Sequence, residues 1–522
     1  MVQKMITPDK NGSSLSTPEL NDNSSTLKEI SKLREAIPQI CAVSAKNLLL
    51  VTFGTTLGFP TIFLAALQND NPDIAVTREQ ITWISSINLF MVPLGCIFSG
   101  PISHYLGRKK TMLLSNLPFI AAWIILHFAT TAPLVFVALG LTGLTGGLCE
   151  APVLTYVAEV TQPHLRGMLS ATSSMAVIVG VFTQMLTGSL TDWRTMTLIN
   201  LFYPILCFTA LLLMPESPYW LAGKDRFSDA EKSLRWLRGW APSSHVREEF
   251  KIVCQMVNHS PDNDNMMKKS RWQAFTKRTF TSPFILTIFT FFIASFGGAS
   301  TLQTYAVFIF KNMHAPIDRY TATVFLGIAE IIGTGLCVIA IHFTGKRWLT
   351  FTSISGTGFF FLSSAIYRYL IKYNDIDADS YSWLPTTFLI GAAFFAHMGI
   401  RLLPWILAGE VFPAAVRSAA SGACAAISYV FASIANKIFL YMVDGMELSG
   451  TFLFYAGINF IGGVVLFFLL PETEGRTLKE IEDHYAGIQS LKTKSRSKKI
   501  EMKEKWAVSN PGLVNDDVET KI

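Results

Sequence analysis

Twelve apolar runs dominate this chain, and each, with roughly twenty residues at about 1.5 Å per residue, can cross a hydrocarbon layer about 30 Å thick. Only 15% of the residues are charged and 50% are hydrophobic, which is more apolar sequence than a soluble core could use. The pattern predicts an all-α membrane protein with 12 transmembrane helices. The runs lie near residues 44–67, 80–102, 111–130, 133–157, 168–190, 196–214, 282–310, 321–343, 348–370, 383–409, 418–440 and 450–470.

The basic residues predict the orientation. If both termini are cytosolic, roughly 35 of the 43 Lys and Arg residues fall on the cytosolic side, as the positive-inside rule requires. Residues 1–43 are polar and lack the apolar core of a secretory signal, so we expect a disordered cytosolic N-terminus. The expected location is the plasma membrane.

A charged segment divides the apolar runs into two sets of six. Residues 222–280 carry acidic and basic side chains at helical spacing, which predicts a cytosolic linker with short helices. We therefore expect an N-terminal six-helix bundle over 44–221, this linker, a C-terminal six-helix bundle over 281–475 and a cytosolic tail over 476–522.

The two halves repeat the same charged motifs. Glu159 stands seven residues before Arg166 in the first half, and Glu410 stands seven residues before Arg417 in the second. A Gly-containing basic turn follows the second and the eighth runs, and a Pro-Glu pair ends the sixth and the twelfth. Three kinds of landmark thus recur in the same order, which indicates that the chain arose by duplication.

Taken together, these motifs resemble the sugar porter family of the major facilitator superfamily, and within it the insect facilitated trehalose and hexose transporters. The resemblance covers about residues 40–485. It implies two pseudo-symmetric six-helix bundles that rock about a central site. It also implies a passive carrier that is not an enzyme and needs no cofactor.

The resemblance gives the repeated charges a role as a cytosolic gate. In the family, such a network joins the two halves while the carrier faces outward, and it must break before the cavity can open inward. The alternative is that the charges only anchor loops at the membrane interface. The residues that match are Arg108, Glu159, Arg166, Glu216, Lys346, Arg347, Glu410, Arg417 and Glu472.

Two positions of this network depart from the family pattern. His104 and His342 stand where sugar porters usually have an Asp. A His titrates near pH 6.5, so protonation could adjust the gate, or the two rings simply donate hydrogen bonds.

The energy source is inferred from residues that the chain lacks. Proton-coupled members of the family carry an Asp on the first helix near an Arg on the fourth. The corresponding stretch from Phe53 to Thr56 has no carboxylate, and Leu139 takes the Arg position. No nucleotide-binding glycine loop is present. We therefore expect passive carriage. The alternative is proton coupling through a different site, Glu150, which also lies within a membrane helix.

The substrate residues of the family are only partly retained. Sugar porters use a Gln pair and an Asn on helix seven, a Gln on helix five and a Trp on helix ten. Here Ser295 and Ser300 stand on helix seven and Ser174 on helix five, while Trp405 is kept. Other polar groups on helix seven could rebuild the site, or they could serve helix packing. They are Gln303, Thr304 and Tyr305.

One pair of charges breaks the repeat. Glu150 lies nine residues before Glu159, and Arg401 lies nine residues before Glu410. A charge inside a membrane helix is costly and is usually paired or faces a wet cavity. We hypothesise a salt bridge across the cavity between Glu150 and Arg401 that acts as a gate or as part of the substrate site. The alternative is that each has a partner in its own half or reaches the lipid headgroups.

The sequence thus predicts a facilitative sugar carrier that works by alternating access. The alternatives are a carrier of a polyol or another small solute, and a nutrient sensor that binds without transporting. The expected partners are a small sugar or polyol and membrane lipids, with no nucleic acid and no metal, and the chain is expected to be a monomer.

Overall fold

The computed structural model describes residues 31–68, 73–258, 275–313, 316–373, 383–413, 416–474, 476, 478–488 and 491. Within these ranges the backbone forms helices and no strand. The first half contains α1 (Lys32–Leu67), α2 (Arg78–Ile84), α3 (Ile87–Leu106), α4 (Arg108–His127), α5 (Ala132–Val160), α6 (Pro163–Leu190) and α7 (Trp193–Leu213). The linker contains α8 (Pro218–Gly223), α9 (Phe227–Leu237) and α10 (Ser243–Asn258). The second half contains α11 (Arg278–Phe296), α12 (Ala299–Thr304), α13 (Ala306–Asn312), α14 (Arg319–Thr344), α15 (Lys346–Tyr373), α16 (Trp383–His397), α17 (Leu403–Glu410), α18 (Arg417–Leu469) and α19 (Leu478–Tyr485).

The prediction of twelve membrane-crossing segments is confirmed. Ten helices of the described chain are long and apolar enough to span a membrane. One of them, α18, contains the eleventh and twelfth segments, which meet at Glu447, where the backbone leaves the helical conformation. The tenth segment is divided between α16 and α17, so neither part is long enough by itself.

Small residues bring helices of the first half into close contact. Gly143 of α5 lies directly against the carbonyl oxygen of Asn88 on α3, where a Cβ atom would overlap that oxygen. Gly54 of α1 lies in the same way against the carbonyl oxygen of Val177 on α6. Close backbone approach of this kind drives helix association in membranes, where water cannot supply a hydrophobic force.

Two segments of the second half are broken inside the bundle. The seventh is interrupted at Gly298, whose positive φ of +93° suits glycine, and again at Tyr305. The tenth is interrupted between His397 and Leu403, in a turn that contains Arg401. Irregular backbone at membrane depth is tolerated where it is buried in protein or lines a water-filled cavity. The two breaks therefore indicate where a solute could bind.

The two ends of the bundle are distinguished by the linker helices. The terminal face is the end at which α1 begins, α18 ends and α8 to α10 lie. There the Arg34 Nε donates to the carbonyl oxygen of Gly239 at 3.1 Å, and the Arg347 Nη2 donates to that of Phe467 at 2.6 Å. The opposite face is the other end, at which α1 ends.

The structure corrects the predicted disorder at the start of the chain. Helix α1 begins at Lys32 rather than near residue 44, so residues 32–43 are helical. Ser31 caps the helix by accepting the Arg34 backbone N–H, and Glu35 contacts the His245 imidazole at 2.9 Å. These contacts fix the first turns. Residues 1–30 lie outside the described residues.

The segment predicted as a tail also contains a packed helix. In α19 the side chains of Ile481 and Tyr485 are buried against the same cluster as Phe412. The helix is amphipathic, which explains why its apolar positions find a partner.

Candidate functional site

At the terminal face of the first half, a buried ion pair joins α4 to α5. The Arg108 guanidinium donates two hydrogen bonds to the Glu159 carboxylate, at 3.0 and 2.9 Å. Ser217, at the start of α8, donates a third bond to Glu159. The two charged side chains are only 16% and 18% exposed. This fork-to-fork geometry fixes both side chains.

The second half repeats the arrangement with a lysine. The Lys346 ammonium contacts both oxygens of Glu410, at 2.8 and 2.6 Å, and lies 3.1 Å from Glu474. Thr473 donates to Glu410 at 3.2 Å, in the role that Ser217 has in the first half. Lys346 is 5% exposed. The sequence repeat is therefore also a repeat of contacts.

A glycine turn and a glutamate complete each network. In the first half, Glu216 accepts the backbone N–H groups of Lys109 at 2.9 Å and Lys110 at 3.4 Å. In the second half, Glu472 accepts those of Lys346 at 3.2 Å and Arg347 at 3.0 Å. In each half a carboxylate thus caps the first turn of a helix, where the helix dipole favours negative charge.

These turns require glycine for two reasons. Gly107 and Gly345 have φ angles of +103° and +82°, which side chains rarely adopt. A Cβ atom would also lie 2.5 Å from Glu216 at Gly107 and 2.6 Å from Glu472 at Gly345. The sequence motif therefore reflects the close packing of the turn against the glutamate.

Arg166 and Arg417 do not reach across to the other half in this conformation. Arg166 donates to the carbonyl oxygen of Thr161 at 3.3 Å, and Arg417 donates two bonds to that of Phe412, at 3.1 and 3.0 Å. All the gate contacts described above join residues of the same half. His104 is exposed, and the side chain of His342 lies outside the described residues.

The two halves meet instead at the opposite face, in contacts that sequence reasoning missed. Arg78 of α2 forms an ion pair with Asp444 of α18. The Lys437 ammonium lies 3.6 Å from the centre of the Trp83 ring, a cation–π contact. We call these contacts, together with the deeper ones that follow, the opposite-face gate.

Deeper in the bundle, hydroxyl and amide groups continue this gate. Asn436 of α18 donates to the carbonyl oxygen of Ser85 at 3.4 Å and to the Thr304 hydroxyl at 3.0 Å. The Tyr305 hydroxyl donates to the carbonyl oxygen of Asn436 at 3.2 Å. Thus Thr304 and Tyr305, predicted as substrate residues, bind Asn436 within the second half, and Asn436 makes the contact with Ser85 of the first half.

A second deep contact joins α1 to the broken seventh segment. The Thr61 hydroxyl donates to the backbone carbonyl oxygen of Gln303 at 2.9 Å. Thr61 is 1% exposed and Gln303 is 7% exposed, so the contact is sealed from solvent.

The remaining polar candidates are dispersed. Ser295 and Ser300 are buried at 5% and 6% exposure, beside the break at Gly298. Ser174 is exposed, while its neighbour Ser173 accepts a 2.6 Å hydrogen bond from the buried Lys46. The structure brings Ser295 and Ser300 to a helix break, whereas Ser174 lies on α6 of the first half.

Trp405 and Tyr429 form an aromatic wall at the break in the tenth segment. Trp405 is 39% exposed, and its ring packs edge-on against Phe291 with the centres 5.1 Å apart. Its centre lies 5.8 Å from that of Tyr429 on α18, which in turn lies 6.4 Å from Phe53 on α1. Such a surface can stack on the apolar face of a sugar ring.

Glu150 and Arg401 are not an ion pair in this conformation. Both are half-buried, and in the described part of the chain neither forms an ion pair within 4.0 Å. The charges of both act on the Tyr429 hydroxyl, so this phenol lies within electrostatic range of each. The bridge stays a prediction for another conformation.

Sequence reasoning missed a second membrane carboxylate, Glu330 on α14. Its side chain is 1% exposed, and its Oε2 accepts a 2.7 Å hydrogen bond from the Gln303 amide. Arg401 lies within electrostatic range of it. A lone carboxylate inside a long apolar run is visible in the sequence. The equivalent position in the first half carries no charge, so the repeat between the halves does not point to Glu330.

One cavity, of about 340 Å³, opens on the outer side of the opposite-face gate. Its lining includes the gate residue Arg78 together with Lys311 and Arg319. No predicted substrate residue lines it, so it is a vestibule rather than the predicted binding site.

Among the described residues, no group of three or more His, Cys, Asp or Glu side chains is placed to hold a metal ion. The seven cysteines are free thiols.

Comparison with known families and proteins gives one consistent result. A family model described as sugar (and other) transporter matches residues 40–485. The facilitated trehalose transporter Tret1 of Bombyx mori is 27% identical over 445 residues, which cover 85% of this chain and 86% of that protein. The transporter of the same name from Polypedilum vanderplanki is 27% identical over 457 residues, which cover 86% and 88%. The matched family and these relatives are transporters and not enzymes.

Solved structures give the same fold. The E. coli xylose transporter XylE, in a partially occluded inward open conformation, superposes with a TM-score of 0.68 at 16% identity, over 84% of this chain and 99% of that one. The proton:xylose symporter XylE bound to 6-bromo-6-deoxy-D-glucose gives 0.66 at 18% identity, over 86% and 100%. The likeness shows the twelve-helix major facilitator fold.

Proposed function

The chain belongs to the family of sugar (and other) transporters, and we propose that it is a facilitative carrier of a sugar, such as trehalose or a hexose, that works by alternating access. The names of the insect relatives support the sugar and the passive mode. In such a carrier, two bundles rock about a central site, and each face closes in turn.

The observation that carries the proposal is the asymmetry between the two faces. At the opposite face, contacts from Thr61 to Gln303 and from Arg78 to Asp444 hold the halves together. At the terminal face, Glu159 and Glu410 bind cations of their own halves. This arrangement fits a carrier that is closed at the opposite face and whose terminal-face charges can form a second gate in another conformation.

The matched charges of the terminal face are proposed to form that second gate. When this face closes, Arg166 and Arg417 would exchange backbone carbonyl partners for carboxylates of the other half. A guanidinium bound only to a carbonyl gains from such an exchange, because a bond between two charged groups is stronger. The glutamates Glu216 and Glu472 would keep the two turns in place during the motion.

We also propose that the terminal face is cytosolic and that the protein lies in the plasma membrane as a monomer. The distribution of Lys and Arg supports this orientation, because the linker helices, the start of α1 and the end of α18 lie at this face. Surrounding lipid would contact the exposed apolar side chains of the bundle.

The proposed sugar site lies between the breaks in the seventh and tenth segments. Ser295, Ser300 and Gln303 supply hydrogen-bonding groups from one break, and Trp405 supplies the aromatic face at the other. Hydroxyls that leave water must find such partners, since each one left unpaired costs about 1–3 kcal/mol.

Reconstitution in liposomes tests the proposal. The purified chain should take up labelled trehalose or glucose down a concentration gradient, without accumulation and without a requirement for a pH gradient. Empty liposomes and an excess of unlabelled sugar are the controls. Transport of no sugar would overturn the proposal, and accumulation driven by a pH gradient would overturn its passive part.

A second candidate is a carrier of a polyol or another small solute, favoured by the charged groups Glu150, Glu330 and Arg401 around the site. A neutral sugar does not need three ionisable partners. Adding inositol and a set of amino-containing and acidic solutes to the same assay distinguishes the two. A chain that binds a sugar without moving it would instead be a nutrient sensor.

A further inference from the structure

Glu330 lies at the centre of α14, sealed inside the second half. The side chain is 1% exposed, and the helix that carries it runs across the whole bundle from Arg319 to Thr344. Isolated carboxylates at membrane depth are rare, and they usually take part in ion or proton pathways. The mechanism proposed for sugar carriage assigns this residue no role.

The carboxyl group of Glu330 is only half satisfied. Its Oε2 accepts the hydrogen bond from Gln303, whereas its Oε1 is buried and has no hydrogen-bond partner in the described part of the chain. Arg401 is close enough to interact electrostatically but does not form an ion pair with it. A buried anionic oxygen without a partner is costly, so this position calls for a proton.

Four helices pack on α14, namely α6, α13, α15 and α16, and few of their titratable or charged groups lie near Glu330. On α16 and the turn after it, His397 and Arg401 are the titratable or charged groups. The His397 Nδ1 lies 3.0 Å from the carbonyl oxygen of Ala393, and its Nε2 is without a partner in the described chain. On α6 the residues that contact α14 near Gly327 are apolar, namely Phe182 and Met185. The charged groups of the other two helices lie away from Glu330: Lys311 of α13 lines the outer cavity. Lys346 of α15 is paired with Glu410 at the terminal face. Arg401 is thus the cation available to Glu330.

Gln303 connects this carboxyl group to the opposite-face gate. Its side chain donates to Glu330, and its backbone carbonyl accepts the hydrogen bond of Thr61 from the first half. Both groups belong to α12, a helix of only six residues between two breaks. Gln303 therefore both holds Glu330 and forms one of the contacts between the two halves.

We propose that Glu330 is a proton-binding site coupled to the opposite-face gate, holding a proton while that face is closed and releasing it when the face opens. On opening, α12 moves away with Gln303, water reaches the carboxyl group, and its O–H bond breaks. The proton passes to water, and the carboxylate that remains pairs with Arg401. On closing, the carboxylate takes a proton back from water.

The sign of the pH effect follows from this linkage. The closed state binds one proton more than the open state, so a lower pH stabilises the closed opposite face and a higher pH opens it. One proton can change the ratio of the two states by at most about tenfold per pH unit. Net proton transport is not required, so the effect is compatible with passive carriage.

The inference rests on the proposed alternating access but not on the identity of the solute, and a distance measurement without solute tests it. Spin labels would be attached at Leu190→Cys and Met446→Cys, two exposed positions of the opposite face, after replacement of the seven native cysteines. The fraction with the longer distance should rise between about pH 5.5 and about pH 8.5, on either side of neutral pH. If the distribution of distances between the two labels does not change with pH in the otherwise unsubstituted protein, the proposal is wrong.

Variants assign the effect to Glu330. The neutral amide of E330Q should hold the short distance at every pH, because it imitates the protonated acid. The matched control E150Q removes the other membrane carboxylate, the half-buried Glu150, and should keep the pH dependence, as should H397Q. Persistence of the effect in E330Q, or its loss in H397Q alone, would assign the proton to another group.

A second variant covers the case in which E330Q does not fold. Q303L removes the hydrogen bond between the gate helix and Glu330, so the pH dependence should weaken at least severalfold while the gate still opens. Full retention of the dependence would show that Gln303 does not couple them. Failure of all sugar uptake would contradict the proposed function but would leave this distance measurement intact.

Discussion

Arg78 and Asp444 form an ion pair that ties the first half of the chain to the second at the opposite face. The pair lies in the outermost layer of the gate, with about half of each side chain exposed. Beneath it lie the hydrogen bonds from Asn436 to Ser85 and from Thr61 to Gln303. A gate built in layers separates under strain from the outside inward, so its outermost pair should influence how readily it opens.

Replacement of Asp444 by Ala should favour the open opposite face only modestly. An exposed ion pair contributes about 0.2–1 kcal/mol, which corresponds to a change of at most about fivefold in the ratio of the two states. The measurement is the rate at which an impermeant thiol reagent labels Ser86→Cys in a cysteine-free background. Ser86 is buried, and its backbone carbonyl oxygen accepts a hydrogen bond from Ser433 of the second half at 3.1 Å. The charge swap R78D/D444R should restore the original rate. A swap that labels as fast as D444A would show that the pair does not hold the gate.

Replacement of Glu159 by Gln should destabilise the protein. The change removes a charged partner from the nearly buried Arg108, which costs about 1–3 kcal/mol, less than for a fully buried pair because both groups retain some solvent. Thermal unfolding in detergent should therefore begin at a lower temperature. The matched control is E248Q, whose side chain is 81% exposed and pairs with Lys251 on the linker surface. If E159Q and E248Q unfold at the same temperature, the ion pair between Arg108 and Glu159 does not stabilise the protein.

Arg417→Ala should impair transport without destabilising the conformation described here. In this conformation the side chain donates to the carbonyl oxygen of Phe412 and, among the described residues, forms no ion pair, whereas the proposed gate needs it for the other state. Turnover in liposomes should fall at least about tenfold, equivalent to about 1.4 kcal/mol, while the melting temperature changes little. R226A, which removes an exposed linker ion pair with Asp229, should change neither quantity. Wild-type turnover in R417A would refute the gate.

Arg401→Glu should impair transport, and the double exchange E150R/R401E should restore part of it if the two residues pair during the cycle. They do not form an ion pair in the present conformation, but both act electrostatically on Tyr429. Movement of one half toward the other could therefore bring them together. The measurement is initial uptake relative to the amount of reconstituted protein. A double variant no more active than either single variant would show that no bridge forms.

Gly143→Ala should destabilise the first half, because the added methyl group would overlap the carbonyl oxygen of Asn88 and force α3 and α5 apart. Overpacking of this kind costs about 1–3 kcal/mol or more. Gly140→Ala is the matched control on the same helix, since its Cβ atom would come no closer than 3.8 Å to Met91. Size-exclusion profiles and melting temperatures in detergent give the comparison. Equal stability of the two variants would contradict the close packing of α3 on α5.

The terminal face shows what the sequence could predict. The spacing of Glu159 and Arg166, repeated at Glu410 and Arg417, identified the charges that lie together at this end of the bundle. It could not identify their partners, since Arg108 and Arg166 are both arginines near the same carboxylate. In the structure Glu159 pairs with Arg108, because the turn at Gly107 brings α4 against α5 and α8.

The opposite face shows what the sequence could not predict. Thr61 and Gln303 are ordinary polar residues of apolar runs, and no local pattern distinguishes them from residues that only pack helices. Their contact joins positions 242 residues apart. It exists because the two halves are closed on this side in the present conformation.

Length, apolarity and the repeated charges by themselves indicated twelve membrane helices, two related halves and the positions of the terminal-face charges. These features are local or periodic, so a bilayer of fixed thickness and the positive-inside rule translate them directly into structure. Only the tertiary structure decided which face is closed, which helices break at Gly298 and Arg401, and that Glu330 is held by Gln303 behind the gate. These depend on the relative position of two halves that can adopt more than one arrangement with the same sequence.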